Sequence, residues 1–147
     1  PVDFKSIPCF IEASDSKTLE CIQSLALSIS EKVYILSSHD RKYLHLSAVF
    51  ACNFVNHCYE IAAEILHQHD IPFEVLQPLI DETARKIHML SPRDAQTGPA
   101  VRYDKNVIEA QRNLLADLPL WQEIYERMSA SIHRTAITNK PNHYDKL

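Results

Sequence analysis

The sequence predicts a mainly α-helical chain, a short βαβ segment followed by an all-helical part. Two observations predict it, and a third bounds the function. Apolar residues recur at helical spacing over most of the chain beyond residue 37. Only two stretches, residues 8–13 and 32–36, have the β-branched and aromatic character of strands. Glycine occurs once in 147 residues, where an average usage of about 7% gives roughly ten.

Pro8-Cys9-Phe10-Ile11-Glu12-Ala13 reads as the first strand. Asp15 and Ser16 can cap the next helix, whose Leu19, Ile22, Ala26 and Ile29, with Leu25 beside them, share one face. Lys32-Val33-Tyr34-Ile35-Leu36 is the second strand. A strand, a crossover helix and a strand imply parallel pairing. Two parallel strands do not stand alone, and everything downstream reads as helix. The sequence also opens at Pro1 without methionine. The expectation is therefore the C-terminal piece of a longer α/β protein.

From His39 to about His69 there is no glycine or proline, which predicts one helix of about 45 Å. Its apolar residues, Leu44, Phe50, Ala51, Phe54, Val55, Cys58, Ile61, Ala62 and Ile65, cover more than half the circumference, so it is expected to be central and packed on several sides. Asp70-Ile71-Pro72 ends it. A further helix is expected from about Phe73 to Leu90, with Leu76, Leu79, Ile80, Thr83, Ile87 and Leu90 on one face and a kink at Pro78. Ser91-Pro92-Arg93-Asp94 carries an N-cap, a proline at N1 and an acid at N3, and starts a short turn. Gln96–Asp104 reads as a connecting loop holding the single glycine, Gly98. Asp104 caps a helix with Val107, Ile108, Leu114 and Leu115, and Leu118-Pro119-Leu120-Trp121 opens the last one, with Ile124, Met128, Ser131 and Ile132 inward. The tail from Thr138 is polar and expected to fray.

Composition excludes several functions. With 46% hydrophobic and 23% charged residues the chain is an ordinary globular sequence. A net charge of −4 argues against a nucleic-acid partner. No apolar run is long enough for a membrane span, and no leader pattern is seen, so the reading is cytoplasmic with no membrane association. The glycine shortage removes both the P-loop and the dinucleotide fingerprint, so this chain alone is expected to bind no nucleotide by that route. Cys9, Cys21, Cys52 and Cys58 match no zinc spacing and read as reduced, mostly buried thiols. The His39-Asp40 doublet opens the long helix, where the aspartate is a favourable first-turn charge, so no metal site is expected. His67 and His69 read as exposed.

Two groups of residues could carry chemistry. The first is a narrow polar stripe on the long helix: Ser38, His45, Asn53, Asn56 and Glu60, with His57 and Glu64 at its margin. At 100° per residue Asn53 lies about 80° and Asn56 about 20° from His45. The stripe reads as a substrate site, with His45 as acid–base group or hydrogen-bond donor and Asn53 and Asn56 orienting polar substrate groups. The plain alternative is a helix face that meets water or bonds to neighbouring helices. The second group is the glycine segment, where Arg102 could fork onto a substrate carboxylate or phosphate. The plain alternative there is a pairing of Arg102 with Asp104 or a helix end. The bolder expectation is that His45, Asn53, Asn56 and Arg102 line one pocket.

Arg41–His57, Pro78–Thr83 and Gln96–Asp104, in that order, resemble one bacterial family. Its members join an N-terminal Rossmann-like NAD(P)-binding domain to a C-terminal helical domain of uncharacterised function. Pro1-Val2-Asp3-Phe4 through Ile11-Glu12 resembles the segment leading into that domain's last strands. The family is similar to the reductases grouped with 6-phosphogluconate dehydrogenase, pyrroline-5-carboxylate reductase and prephenate dehydrogenase. The resemblance implies that residues 1–37 are the last βαβ of a Rossmann-like sheet. It implies that residues 38–147 are a helical domain of the 6-phosphogluconate dehydrogenase C-terminal type, supplying substrate contacts and a homodimer interface. NAD(P) would belong to the full-length parent, and the substrate would be a small molecule. The chain lacks the Lys-x-x-Asn arrangement of the hydroxyacid dehydrogenases. It keeps His39-Asp40-Arg41 as in the prephenate enzymes but has Ser47–Ala51 where those carry Ser-His-Leu-Pro-His. The catalytic residues of neither group therefore carry over. The competing reading is a non-catalytic helical dimerisation or sensor module.

Overall fold

The computed structural model describes residues 3–138. The polar tail expected beyond Thr138 lies outside them. Two compact units divide the chain, residues 1–60 and 61–147. The division falls within a helix rather than in a linker.

After a 3₁₀ turn (Phe4–Ser6), the first unit has strand β1 (Cys9–Ile11), helix α1 (Ser16–Ile29) and strand β2 (Val33–Ile35). The strands pair in parallel, with Cys9 opposite Val33, Phe10 opposite Tyr34 and Ile11 opposite Ile35. Both strands are shorter than expected, because each has one partner and the ladder closes at Cys9 N–H to the Lys32 carbonyl (2.7 Å) and Leu36 N–H to the Ile11 carbonyl (3.0 Å). Asp15 caps α1 by accepting from Thr18 N–H at 2.9 Å. Ser30 is buried where α1 ends. Its hydroxyl donates to the Ile7 carbonyl and accepts from Lys32 N–H at 3.0 Å, which ties together the starts of the two strands. Ile11 and Ala26 are buried here, whereas the stacked Phe10 and Tyr34 rings, 5.7 Å apart, lie exposed on the sheet.

The long helix forms, but not as one α-helix. Helix α2 (Ser38–Ala48) passes into a π turn (Val49–Phe54) and resumes as α3 (Val55–His67). It ends at His67 because Asp70 takes a left-handed conformation (φ 55°). Asp70 N–H then bonds the His67 carbonyl, and Ile71 N–H bonds the Leu66 carbonyl. The expected central burial is not met: no residue of α2, the π turn or α3 is buried, and Phe50 is 62% exposed. The described chain supplies too few neighbours to cover the apolar face. The same shortage leaves Cys21, Cys52 and Cys58 exposed, against expectation, with only Cys9 half-buried.

In the second unit a 3₁₀ turn (Phe73–Leu76) leads into α4 (Gln77–Lys86). Pro78 does not kink this helix. It sits in its first turn, where a missing N–H costs nothing. Leu76 and Ile80 are half-buried, while Leu79, Ile87 and Leu90 are exposed. Ser91 caps α5 (Pro92–Ala95), accepting from Asp94 N–H at 3.2 Å. Gln96–Asp104 is not a plain loop, because Pro99–Arg102 forms a helical turn, α6. Asp104 caps α7 (Lys105–Asn113) through Val107 N–H, and α8 spans Pro119–Ile137. Helices α6, α7 and α8 pack together around Ala100 and Leu115. Met128 and Ser131, expected to point inward, are exposed, as is Leu114. Tyr125 donates to Gln111 Oε1 (2.8 Å), Gln122 to the Arg112 carbonyl (3.1 Å), and Arg112 pairs with Glu126, so polar bonds join α7 to α8. Among the described residues no helix is long and apolar enough to cross a membrane.

Candidate functional site

The π turn alters the geometry of the polar stripe. An α turn takes about 3.6 residues and a π turn, which closes i→i+5, about 4.4. His45 and Asn53 are separated by one of each, so Asn53 falls within about 10° of His45 rather than about 80°. Asn56 moves the other way, from about 20° to about 70° off that line. His57, assigned to the margin of the stripe, lies about 30° from His45. Nothing in Val49-Phe50-Ala51-Cys52-Asn53-Phe54 announces the π turn, since it holds no glycine, proline or charge.

Distance along the axis matters as much as angle. At about 1.5 Å per residue, and less in the π turn, Asn53 stands about 11 Å beyond His45 and Asn56 about 15 Å. A ligand of a few atoms cannot touch both ends. An elongated ligand, or two ligands end to end, can.

His45, Asn53 and Asn56 are exposed, and none has a side-chain hydrogen bond among the described residues. His57 is different: its Nδ1 donates to Glu60 Oε2 at 2.8 Å, which orients the ring and leaves Nε2 open. His39 meets Tyr43 edge-on at 5.3 Å, and Asp40 serves the helix start, accepting from the Ser37 hydroxyl at 2.7 Å. No group of His, Cys, Asp or Glu among the described residues gathers to hold a metal ion.

Below the start of α2 is a charged cluster that sequence reading did not single out. Glu12, one residue past β1, accepts from the Ser38 hydroxyl, and Arg41 lies 3.8 Å from the same carboxylate oxygen. The Ser38 hydroxyl and its backbone N–H, with Arg41 contributing less, hold the Glu12 carboxyl below its usual range against the opposing effect of desolvation. The turn from β1 to α1, Glu12-Ala13-Ser14-Asp15, does not fit a dinucleotide pyrophosphate. It has no glycine, and the Asp15 carboxylate already takes the Thr18 N–H in the first turn of the helix, where a phosphate would sit.

Arg102 ends α6 in the second unit. It is exposed, and neither Asp104 nor any other described residue pairs with it. The two residues flanking α6 have positive φ: Gly98 at 108° and Tyr103 at 53°. An added Cβ at Gly98 would meet nothing, so the glycine is there for its backbone angle. A glycine signals such an angle at Gly98, but nothing in the sequence signals it at Tyr103, because tyrosine rarely adopts a left-handed conformation. A groove of about 240 Å³ between α6, α7 and α8 is lined by residues including Thr97, Ala100, Tyr125 and Ile132. None of the expected site residues lines it.

A mainly helical chain with one parallel βαβ and a π-interrupted long helix is the class these features define. Residues 7–132 match the family described as "Domain of unknown function (DUF2520)", and the chain belongs to that family. No curated protein matches the chain. The crystal structure of BF3122 from Bacteroides fragilis, a proposed NADP oxidoreductase, matches 90% of this chain at 54% identity with a TM-score of 0.84. That of protein TM1727 from Thermotoga maritima matches 83% at 24% identity with a TM-score of 0.72, which shows the fold alone. The chain spans about half of each, 51% of BF3122 and 50% of TM1727.

Proposed function

We propose that the chain is the substrate-binding and dimerisation portion of an NAD(P)-dependent oxidoreductase. The observation that carries this is the 54% identity to BF3122, a proposed NADP oxidoreductase about twice as long. That likeness favours NADP over NAD. In this reading residues 1–37 complete a Rossmann-like sheet and residues 38–147 are the helical C-terminal domain, of the 6-phosphogluconate dehydrogenase C-terminal type. The exposed Phe10–Tyr34 sheet face supports it, because parallel sheets are covered on both faces. The βα turn of this chain does not suit a pyrophosphate, so the dinucleotide belongs to the part of the parent outside these residues.

His45 holds or moves a proton on an elongated small-molecule substrate, Asn53 and, to a lesser degree, Asn56 orient its polar groups, and Arg102 takes its carboxylate or phosphate. A second copy covers the apolar face of the long helix, where Phe50 and Phe54 are exposed, making a homodimer. In the full-length protein, His45→Ala and Arg102→Ala each lower turnover at least tenfold while NADPH affinity stays within about twofold. Unchanged turnover in both variants refutes the site. Calorimetry with residues 1–147 alone shows no micromolar binding of NADP. Light scattering at tens of micromolar gives a dimer, and a monomer there overturns the dimerisation role.

A further inference from the structure

Tyr103 occupies a position that glycine ordinarily fills. Its N–H bonds the Ala100 carbonyl (3.3 Å) and Asp104 N–H bonds the Pro99 carbonyl (3.0 Å), the pattern that closes a helix with a left-handed residue. These bonds account for the turn but not for a tyrosine in it, since a Cβ disfavours that conformation. What tyrosine adds is its ring. The ring stacks on His133 of α8, with centroids 4.1 Å apart and planes 19° apart. The Lys105 ammonium sits 5.1 Å from the same centroid. His133 Nδ1 is buried with no hydrogen-bond partner among the described residues. Arg102 is the residue before the ring.

The Lys105 ammonium and the His133 imidazole thus meet one aromatic ring and Arg102 precedes that ring in the chain, and none of the three has an ion-paired carboxylate among the described residues. This is unusual within the unit. Among the described arginines of the unit, Arg85 pairs with Glu82, Arg112 with Glu126 and Arg127 with Glu123, and Arg93 is taken up by two carbonyls, whereas Arg102, like Arg134 beside His133, has no such partner. Asp104, which stands between Arg102 and Lys105, is engaged as the cap of α7.

We infer that Arg102 and Lys105, which flank Tyr103 in the chain, form with the Tyr103–His133 stack a binding site for an oxyanion, the phosphate or carboxylate of a small molecule. The guanidinium supplies the fork, the ammonium supplies charge, and the stack fixes the ring against which the ammonium sits. The inference deepens the proposed function through Arg102, and rests on it only in taking the bound anion to be the substrate's.

The test is titration of the full-length protein with inorganic phosphate and, separately, acetate at low salt. Binding is followed by backbone and imidazole NMR shifts. The expected result is saturable shifts confined to residues 98–105 and 131–134, with millimolar affinity. Arg102→Ala weakens binding at least tenfold and Lys105→Ala severalfold. Tyr103→Gly keeps the turn and also weakens binding. Response to phosphate alone identifies a phosphate ester, and response to both anions a general oxyanion. Shifts that fall elsewhere, or that persist unchanged in Arg102→Ala and Lys105→Ala, overturn the site. Phosphate binding does not require hydride transfer, so an inactive parent would fail the proposed function and leave this result standing.

Discussion

The Ser38 hydroxyl donates to the Glu12 carboxylate, which joins the residue after the first strand to the first turn of the long helix. Arg41 approaches the same oxygen at 3.8 Å from one turn further on. The carboxyl ends of parallel strands are where α/β sheets place their ligands, so this bond sets how the long helix leaves that edge.

A pH dependence follows from it. The Glu12 carboxyl titrates below its usual 4.5, chiefly through the hydroxyl and N–H of Ser38. A carboxyl lowered in the folded state contributes stability that is present above its ordinary value and is lost as pH falls through the lowered one. Ser38→Ala should return the Glu12 titration towards 4.5 and flatten the acid limb of the stability profile. NMR titration of the Glu12 carboxyl checks this, and an unmoved midpoint in Ser38→Ala refutes it.

Asp70 ends α3 at a φ of 55°. Aspartate tolerates this angle better than most residues, but glycine meets no Cβ clash there. Asp70→Gly should therefore stabilise the protein by about 0.5 kcal/mol, and Asp70→Val should destabilise it by about 1 kcal/mol or more. Thermal melting of the pair checks the order, and a lower midpoint for the glycine variant contradicts it.

Arg93 reaches from α5 to the carboxyl end of α8, donating to the Thr135 and Thr138 carbonyls at 2.5 Å each. These are carbonyls that the helix cannot satisfy itself. Arg93→Ala should cost about 1 kcal/mol, at the low end for charged hydrogen bonds because the site is exposed. Arg93→Lys should recover only part, since both bonds come from Nη2 at the tip of the longer, planar guanidinium, which a lysine ammonium does not reproduce. Hydrogen exchange should accelerate in the last turn of α8 and not in its middle. Uniform acceleration along α8 would point to global destabilisation instead.

Local chemistry made much of the fold legible. Asp15, Ser91 and Asp104 cap the helices they were expected to cap, because an N-cap needs only one side chain and one nearby N–H. The parallel pairing of β1 and β2 followed from the crossover helix. Burial was not legible. Phe50, Met128 and Cys52 were expected inside because they are apolar, yet they are exposed, since the described residues supply too few neighbours to cover them. Of the candidate site, the stripe was read as one straight helix, and the π turn at Val49–Phe54 had no local signature. The partner-free state of Arg102 required the positions of all the acids, which sequence spacing does not give.

The π turn separates the roles of the two asparagines. On an unbroken α-helix Asn56 would lie closest to the His45 line, but with the π turn Asn53 lies on it and Asn56 falls about 70° away. If the proposed substrate site runs along that line, Asn53→Ala in the full-length protein should lower kcat/KM for NADPH-dependent turnover about tenfold or more, and Asn56→Ala less than about threefold. A π turn behaves as one inserted residue. Deleting Ala51 leaves Asn53 seven positions after His45, about 20° from it on a regular α-helix, so the deletion should preserve turnover to within a few-fold. Inserting an alanine after Ala51 instead rotates Asn53 by about 100° and should match the loss in Asn53→Ala. Melting curves for all four variants separate misfolding from misalignment. A larger loss in Asn56→Ala than in Asn53→Ala, or a folded but inactive Ala51 deletion, would show that alignment with His45 is not what the π turn provides.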